Sequence, residues 1–384
     1  MRLKSLTFED KRTGWILEDL RLDPFNLLVG ASGVGKTRIL RAIQAIGRIS
    51  TGIKHPRMDR GVRFDVHFEQ DGQDYRWQFD SISAPADEEG NTTQAVESVD
   101  SILIEQLYNS TEGRALVERD ADRFRFNGQE LPILSRASSA LLLFDEPTIV
   151  RVRHAFTNSI LDTLTSEAPS PRLRTRDVRA WIATVFPTLE SLQDTPATHT
   201  LIKAFVLQER FPGRFDEFKQ HFIDIFPTVE DVVVGLSQTV DTKSGISHDT
   251  LLFRIKERHV SSWIDAADIS SGMNRTMHHI VDLMLASKGT LVLIDEFENS
   301  LGVNCMGPLT DLIRSRAHEL QFIITSHHPY IINNIPKEDW KIVRRKGSAV
   351  QVTPASKVAA LQGASAQDDF IRLLNSSEFE EGLG

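Results

Sequence analysis

With 384 residues, 40% of them hydrophobic, the chain can form one large domain or two ordinary ones around a substantial core. A net charge of −9 excludes a surface that is basic all over, yet leaves room for a local basic groove and so keeps nucleic acid open as a partner. The single cysteine, Cys305, excludes a disulfide framework and favours a reducing compartment.

The first fifteen residues carry charges every few positions and no apolar core of the kind a signal peptide needs. No apolar run approaches the roughly 18–20 residues required to span a bilayer. A cytoplasmic protein with no membrane partner is expected. Residues 1–29 alternate apolar and polar in three pieces, RLKSLTF, WILEDLRL and FNLLV, which predicts three strands. GASGVGKT follows, then TRILRAIQAIGRI, where Ile39, Leu40, Ile43 and Ile46 share a helical face. Residues 62–82 predict a hairpin turning at Asp71-Gly72, and 83–94 a polar loop. Further strands are predicted at SILIEQLY, GRALVERD and DRFRFNG. The pattern is helical from about 146 to 227, broken by SEAPSPRLRTRD. Strands return at VEDVVVGLSQTV and TLLFRIKE, and helices alternate with strands from 269 to about 353.

Gly30-Ala-Ser-Gly-Val-Gly35-Lys36-Thr37 fits G-x-x-x-x-G-K-[ST] without a mismatch, between a predicted strand and a predicted helix. Chance gives that pattern in about one chain per hundred of this length. In such a loop, Gly30, Ser32, Gly33 and Gly35 let backbone N–H groups curl around phosphates. Lys36 reaches the β and γ oxygens, and Thr37 offers its hydroxyl to Mg²⁺.

Two segments, LLLFDEPT (141–148) and LVLIDEFE (291–298), offer an Asp-Glu pair of the kind that holds magnesium and a water. ALLLF is leucine-rich and followed by a proline, so Asp145 reads as the cap of a helix whose first turn takes Glu146 and Pro147. TLVLI is β-branched, follows Lys288-Gly289 and precedes a helix and the apolar strand QFIIT, which is a βαβ setting. Asp295 and Glu296 are therefore the expected site pair. Upstream of them, Met273, Met277, Ile280 and Met284 mark a helix opened by Ser270-Ser271-Gly272. Downstream, a strand ends at Thr325-Ser326-His327. His278, His279 and His328 suggest no metal site, because adjacent helical residues face apart.

The order of these motifs resembles that of ABC-type ATPases of the RecF/SMC/OLD class, especially the short ATPases of bacterial anti-phage systems such as Septu and PARIS. The resemblance covers residues 1–50 and 250–345, and the middle only in general plan. It implies an α/β P-loop ATPase head of mixed sheet and flanking helices. It also implies a division into an N-terminal half-head (1–145), an inserted helical lobe (146–235) and a C-terminal half-head (236–384). By the same resemblance Lys36 and Thr37 hold ATP and Mg²⁺, Asp295 supports the Mg²⁺ shell, and Glu296 polarises the attacking water. Asn299, Ser300 and Leu301 match the D-loop, and His327 senses the γ-phosphate. Ser270 and Gly272 touch the ATP of a partner head across a homodimer or higher homo-oligomer. Such a site would make hydrolysis report on assembly, since phosphoryl transfer depends on positioning and charge neutralisation.

The chain departs from that pattern in three places, one being that the D-loop region lacks the His-Pro that often follows it in relatives. ISSGM stands for LSGGQ, and ILSRASS, with Arg136 and Ser138, stands where a Q-loop glutamine would follow DRFRFNG. Arg172, Arg174, Arg176 and Arg179 cluster beside Trp181; they read either as a solvated loop or as a contact for phosphates or an acidic partner. The stretch after His327 is too short for a Toprim nuclease domain, so a separate effector protein, a nuclease or toxin, is expected. The resulting expectation is an ATPase subunit that gates such an effector in anti-phage defence. The alternatives are a RecF-like DNA-maintenance ATPase and an ATP-bound scaffold with little turnover.

Overall fold

The computed structural model describes residues 1–52, 61–82, 101–133, 135–157, 160–162, 171–173, 177–195, 198–240, 247–358, 361 and 372. The predicted loop at 83–94 lies outside them. The chain divides into two compact units. Met1–Ile160, Gly289–Leu291 and Gln321–Gly384 make the first; Leu161–Lys288 and Val292–Leu320 make the second.

The chain opens with β1 (Arg2–Asp10), β2 (Trp15–Arg21), β3 (Phe25–Val29), α1 (Lys36–Thr51), β4 (Val62–Gln70) and β5 (Gln73–Ile82). There follow β6 (Ser101–Asn109), β7 (Arg114–Arg119), β8 (Phe124–Phe126), β9 (Gln129–Leu131), α2 (Ala140–Leu143) and α3 (Pro147–Thr157). Next come β10 (Ile160–Asp162), β11 (Arg172–Leu173), α4 (Val178–Val185), α5 (Leu189–Gln193), α6 (Thr200–Arg210) and α7 (Pro212–Ile225). Then β12 (Val229–Val240), β13 (Ser247–Glu257), β14 (Ile264–Asp265), α8 (Ser271–Leu285), β15 (Leu291–Ile294) and α9 (Val303–Arg316). The described chain closes with β16 (Gln321–Thr325), α10 (Pro329–Asn334), β17 (Trp340–Lys346) and β18 (Ala349–Pro354).

Within the first unit the strand order is β16-β3-β17-β18-β2-β1-β4-β5-β6-β7-β8-β9. β16, β3 and β17 run parallel, and β3 and β16 are buried at every residue. That is why FNLLV and QFIIT read as nearly unbroken apolar runs. From β2 outward the sheet is antiparallel. Leu3, Leu6 and Phe8 of β1 are all buried, although Leu3 and Leu6 are an odd number of residues apart. An extra residue in β1 between Leu3 and Ser5, two steps against one in β4, brings Leu3 to the face of Leu6 and Phe8; the shift between Leu6 and Phe8 places its extra residue in β2. The predicted hairpin forms as β4–β5: Asp71 and Gly72 have φ of 51° and 74°, the paired positive values of a type I′ turn.

α3 belongs to this first unit rather than to a lobe beginning at 146. Its Phe156 ring packs edge-on against Phe68 of β4 at 4.9 Å and against Trp77 of β5 at 5.5 Å. The expected boundary at 235 also fails to appear, because Gly235 sits in mid-strand in β12, paired with Leu252. The second unit pairs β12 with β13 and packs α7 on them through Phe218, Phe222 and Phe253. It also buries an ion pair: Lys203 Nζ of α6 donates to Asp282 of α8 at 2.8 Å, with Thr200 Oγ1 donating to the same carboxylate at 2.9 Å.

Candidate nucleotide-binding site

The phosphate-loop residues join the end of β3 to the start of α1. Gly33 and Gly35 have φ of 84° and 107°, values an L side chain resists, so both glycines are dictated by conformation. Gly30 is dictated by space, since a Cβ there would lie 2.5 Å from the carbonyl oxygen of Val343 in β17. The N-cap of α1 is Gly35, which has no side chain to satisfy the first-turn N–H groups. A sixteen-residue helix without a side-chain cap thus turns its N-terminus and its positive dipole end directly behind a left-handed loop. Lys36 is buried, and its ammonium donates to the carbonyls of Gly30 at 2.8 Å and Ala31 at 3.0 Å. Ser32 is exposed and Thr37 half-buried. Glycine cradle, uncapped helix start and adjacent ammonium together fit a polyphosphate.

His327 leaves the carboxyl end of β16. Thr325 of β16 is in register with Leu28 of the parallel β3, so His327 and the glycine loop emerge at the same end of adjacent strands. That is where ligands bind in parallel α/β sheets. His327 is exposed, whereas His328 caps α10 by accepting from the Tyr330 N–H at 3.2 Å.

The second unit carries the remaining expected residues. Ser270 is the N-cap of α8, its hydroxyl accepting from the Met273 N–H at 3.2 Å. Asp295 and Phe297 are buried while Glu296 between them is exposed, at a left-handed φ of 44°. Ser300 is also left-handed, at 60°. The start of α8 and the turn at Ser300 touch: a Cβ on Gly272 would lie 2.7 Å from the Ser300 carbonyl oxygen. Arg275 of α8 donates to the carbonyls of Asp295 and Glu296, a contact the sequence does not announce because the partners are main-chain oxygens. Burial pushes His278 down to about 4 and His279 down to about 3, so both are neutral imidazoles at pH 7. Among the described residues no cluster of three or more His, Cys, Asp or Glu side chains could hold a metal.

The other Asp-Glu pair caps a helix, with one correction. Glu146, not Asp145, is the capping group: its carboxylate accepts from the N–H groups of Thr148 at 2.9 Å and Ile149 at 3.1 Å. Asp145 is almost fully exposed and pairs with Arg153 at 3.2 Å. In place of a Q-loop, Ser139 caps α2 and bonds to the buried Glu105 at 2.5 Å; the Ser138 carbonyl accepts from Arg119 at 3.0 Å. Arg179 is held by Glu209 at 2.6 Å, whereas Arg174 and Arg176 lie outside the described residues. A basic cluster that sequence reasoning missed borders the glycine loop instead. Asp10, Arg12, Trp15, Arg38 and Arg41 line a cavity of about 120 Å³, and the Arg38 guanidinium lies over the Trp15 ring at 5.1 Å.

A glycine loop feeding an uncapped helix from a central parallel strand defines a P-loop nucleotide-binding protein of α/β class, with a large mixed sheet and flanking helices. Residues 25–333 match the family described as "AAA domain, putative AbiEii toxin, Type IV TA system", and the chain belongs to that family. No curated protein sequence shows significant similarity to it. Among solved structures, it is similar to an SMC head bound to the C-terminal winged-helix domain of ScpA (14% identity, 92% of this chain and 98% of that one, TM-score 0.47). It is also similar to the SMC head domain from Thermotoga maritima (12% identity, 92% and 99%, TM-score 0.42). A third is the Pyrococcus furiosus Smc head bound to the C-terminal domain of ScpA (13% identity, 92% and 96%, TM-score 0.45). These are low similarities, and no residue's role follows from them. No described helix is long and apolar enough to cross a membrane.

Proposed function

We propose that the protein binds and hydrolyses ATP, closes into a homodimer or higher homo-oligomer through its ATP sites, and gates a separate effector in bacterial anti-phage defence. The observation that carries the reading is the Gly30–Thr37 loop, with two left-handed glycines, an uncapped α1 and a buried ammonium at its edge. The first unit contributes phosphate binding by Lys36 and the loop N–H groups, the Thr37 hydroxyl, and the sensing imidazole of His327. The second contributes the Asp295 carboxylate, the water-polarising carboxylate of Glu296, and the helix start at Ser270–Gly272 for the nucleotide of a partner copy. Mg²⁺ would supply charge neutralisation at the phosphates, and Thr37 and Asp295 are the residues that would hold it. A family described by an abortive-infection toxin and a toxin–antitoxin system supports the defence context.

The test is ATP turnover and light scattering of the full chain, with and without the neighbouring gene product. Turnover that depends on Lys36 and Glu296, an ATP-dependent rise in mass, and ATP-dependent co-purification of the neighbour are expected. A tight, salt-sensitive complex with plain duplex DNA and no effector would overturn the defence assignment in favour of DNA maintenance.

A further inference from the structure

Arg275 lies in the second turn of α8, on the helix that Ser270 opens. Its guanidinium Nη2 donates to two consecutive main-chain carbonyls, those of Asp295 and Glu296, at 3.1 Å each. In an extended strand successive carbonyls point to opposite sides. Here both face one cation, because the chain has turned at Glu296, whose φ of 44° lies in the left-handed region that non-glycine residues rarely occupy. A backbone conformation of that kind persists where its surroundings hold it. Glu296 is held from two sides: its carbonyl accepts from Arg275 and, at 2.7 Å, from the Asn299 N–H. The turn is what leaves Glu296 exposed between the buried side chains of Asp295 and Phe297.

The same helix start also touches the D-loop, through the close approach of Gly272 to the Ser300 carbonyl. Ser270–Gly272, Arg275, Glu296 and Ser300 therefore form one connected piece within the second unit. A permanently charged guanidinium suits this role: the two N–H groups of one terminal nitrogen can serve both carbonyls, and the group cannot lose its proton.

We propose that Arg275 is a positioning residue for Glu296, coupling whatever docks on the Ser270–Gly272 helix start to the orientation of that carboxylate. The inference rests on the reading of Glu296 as the group that polarises the attacking water. Arg275 bonds to the carbonyls that frame Glu296 and belongs to the second unit, so its loss should spare phosphate binding by the first unit and slow the chemical step.

The experiment measures kcat and ATP affinity for the full chain as wild type, Glu296→Gln, Arg275→Lys, Arg275→Gln and Arg275→Ala. Losing a charged donor to two carbonyls should lower kcat about ten- to hundredfold in Arg275→Gln and Arg275→Ala. The ATP dissociation constant should stay within about twofold, since Arg275 acts through Glu296 and not through the phosphate loop, so its loss falls on kcat rather than on binding. Arg275→Lys keeps the charge on a shorter side chain with a different donor geometry and should fall between. Added methylguanidinium should restore part of the turnover of Arg275→Ala and none of that of Glu296→Gln. Should Arg275→Ala fail to fold, Arg275→Lys and Arg275→Gln carry the kinetic test alone. Full kcat in folded Arg275→Gln beside an inactive Glu296→Gln overturns the inference alone. So does a loss of ATP affinity that parallels the loss of kcat. If wild type turns over no ATP, or Glu296→Gln matches wild type, the ATPase reading itself fails and this inference falls with it.

Discussion

Gly272 separates steric from electrostatic effects at the start of α8. Any Cβ there would lie 2.7 Å from the Ser300 carbonyl oxygen and 3.5 Å from the Gly302 nitrogen, so the segment from Ser300 to Gly302 has to shift whatever the new side chain is. Overpacking of this kind costs about 1–3 kcal/mol, a drop of a few degrees in melting midpoint. A carboxylate at 272 facing a phosphate about 5 Å away at an effective dielectric of about 20 adds about 3 kcal/mol per unit charge. That is more than a hundredfold in closure. Gly272→Asn and Gly272→Asp share the steric cost and differ by one charge. Both are introduced into Glu296→Gln, where ATP is not consumed, and mass is followed by light scattering against ATP concentration. Gly272→Asn should form the ATP-dependent dimer at reduced affinity, and Gly272→Asp about a hundredfold less well again. Equal dimerisation of the two variants would refute an anion at this helix start. An unimpaired Gly272→Asp would refute it together with the steric argument.

Glu146→Gln should leave turnover within about twofold and cost no more than about 1 kcal/mol, because the amide oxygen still caps α3; Glu296→Gln should abolish turnover with ATP binding intact, and the reverse pattern would exchange the roles of the two Asp-Glu pairs. His278 and His279 are held below the ordinary imidazole value, at about 4 and about 3, so the unfolded chain binds more protons than the folded one once pH drops below about 6.5. Stability should therefore be full above about 6.5 and fall as pH drops from there toward 4, by up to about 1.4 kcal/mol per pH unit for each histidine; denaturant midpoints at pH 7, 6 and 5 check this, and His278→Gln/His279→Gln should flatten the slope. Asp282→Asn strands the Lys203 ammonium in the interior and should destabilise the second unit by about 3–5 kcal/mol, whereas Lys203→Met/Asp282→Leu should cost much less. Equal losses in a urea titration of the two would show that the pair's charge is not what matters.

Much of the local structure was written in neighbouring residues. The alternation of RLKSLTF and WILEDLRL, the Asp71-Gly72 turn, the spacing of Met277, Ile280 and Met284, and the Gly30–Thr37 motif each depend on contacts a few residues long, which a sequence displays directly. The composition of ALLLF against TLVLI separated helix from strand in the same way. What only the tertiary structure decided involves residues far apart in the chain. Gly30 is fixed by a carbonyl at Val343, α3 is drawn into the first unit by Phe68 and Trp77, and the bulge of β1 is set by its pairing with β4. The choice of Glu146 over Asp145 as the α3 cap, and the grip of Arg275 on two main-chain carbonyls, turn on side-chain reach and backbone direction. Residue identity does not encode those until the chain has folded, because every residue offers the same carbonyl and only three-dimensional proximity selects which one an arginine meets.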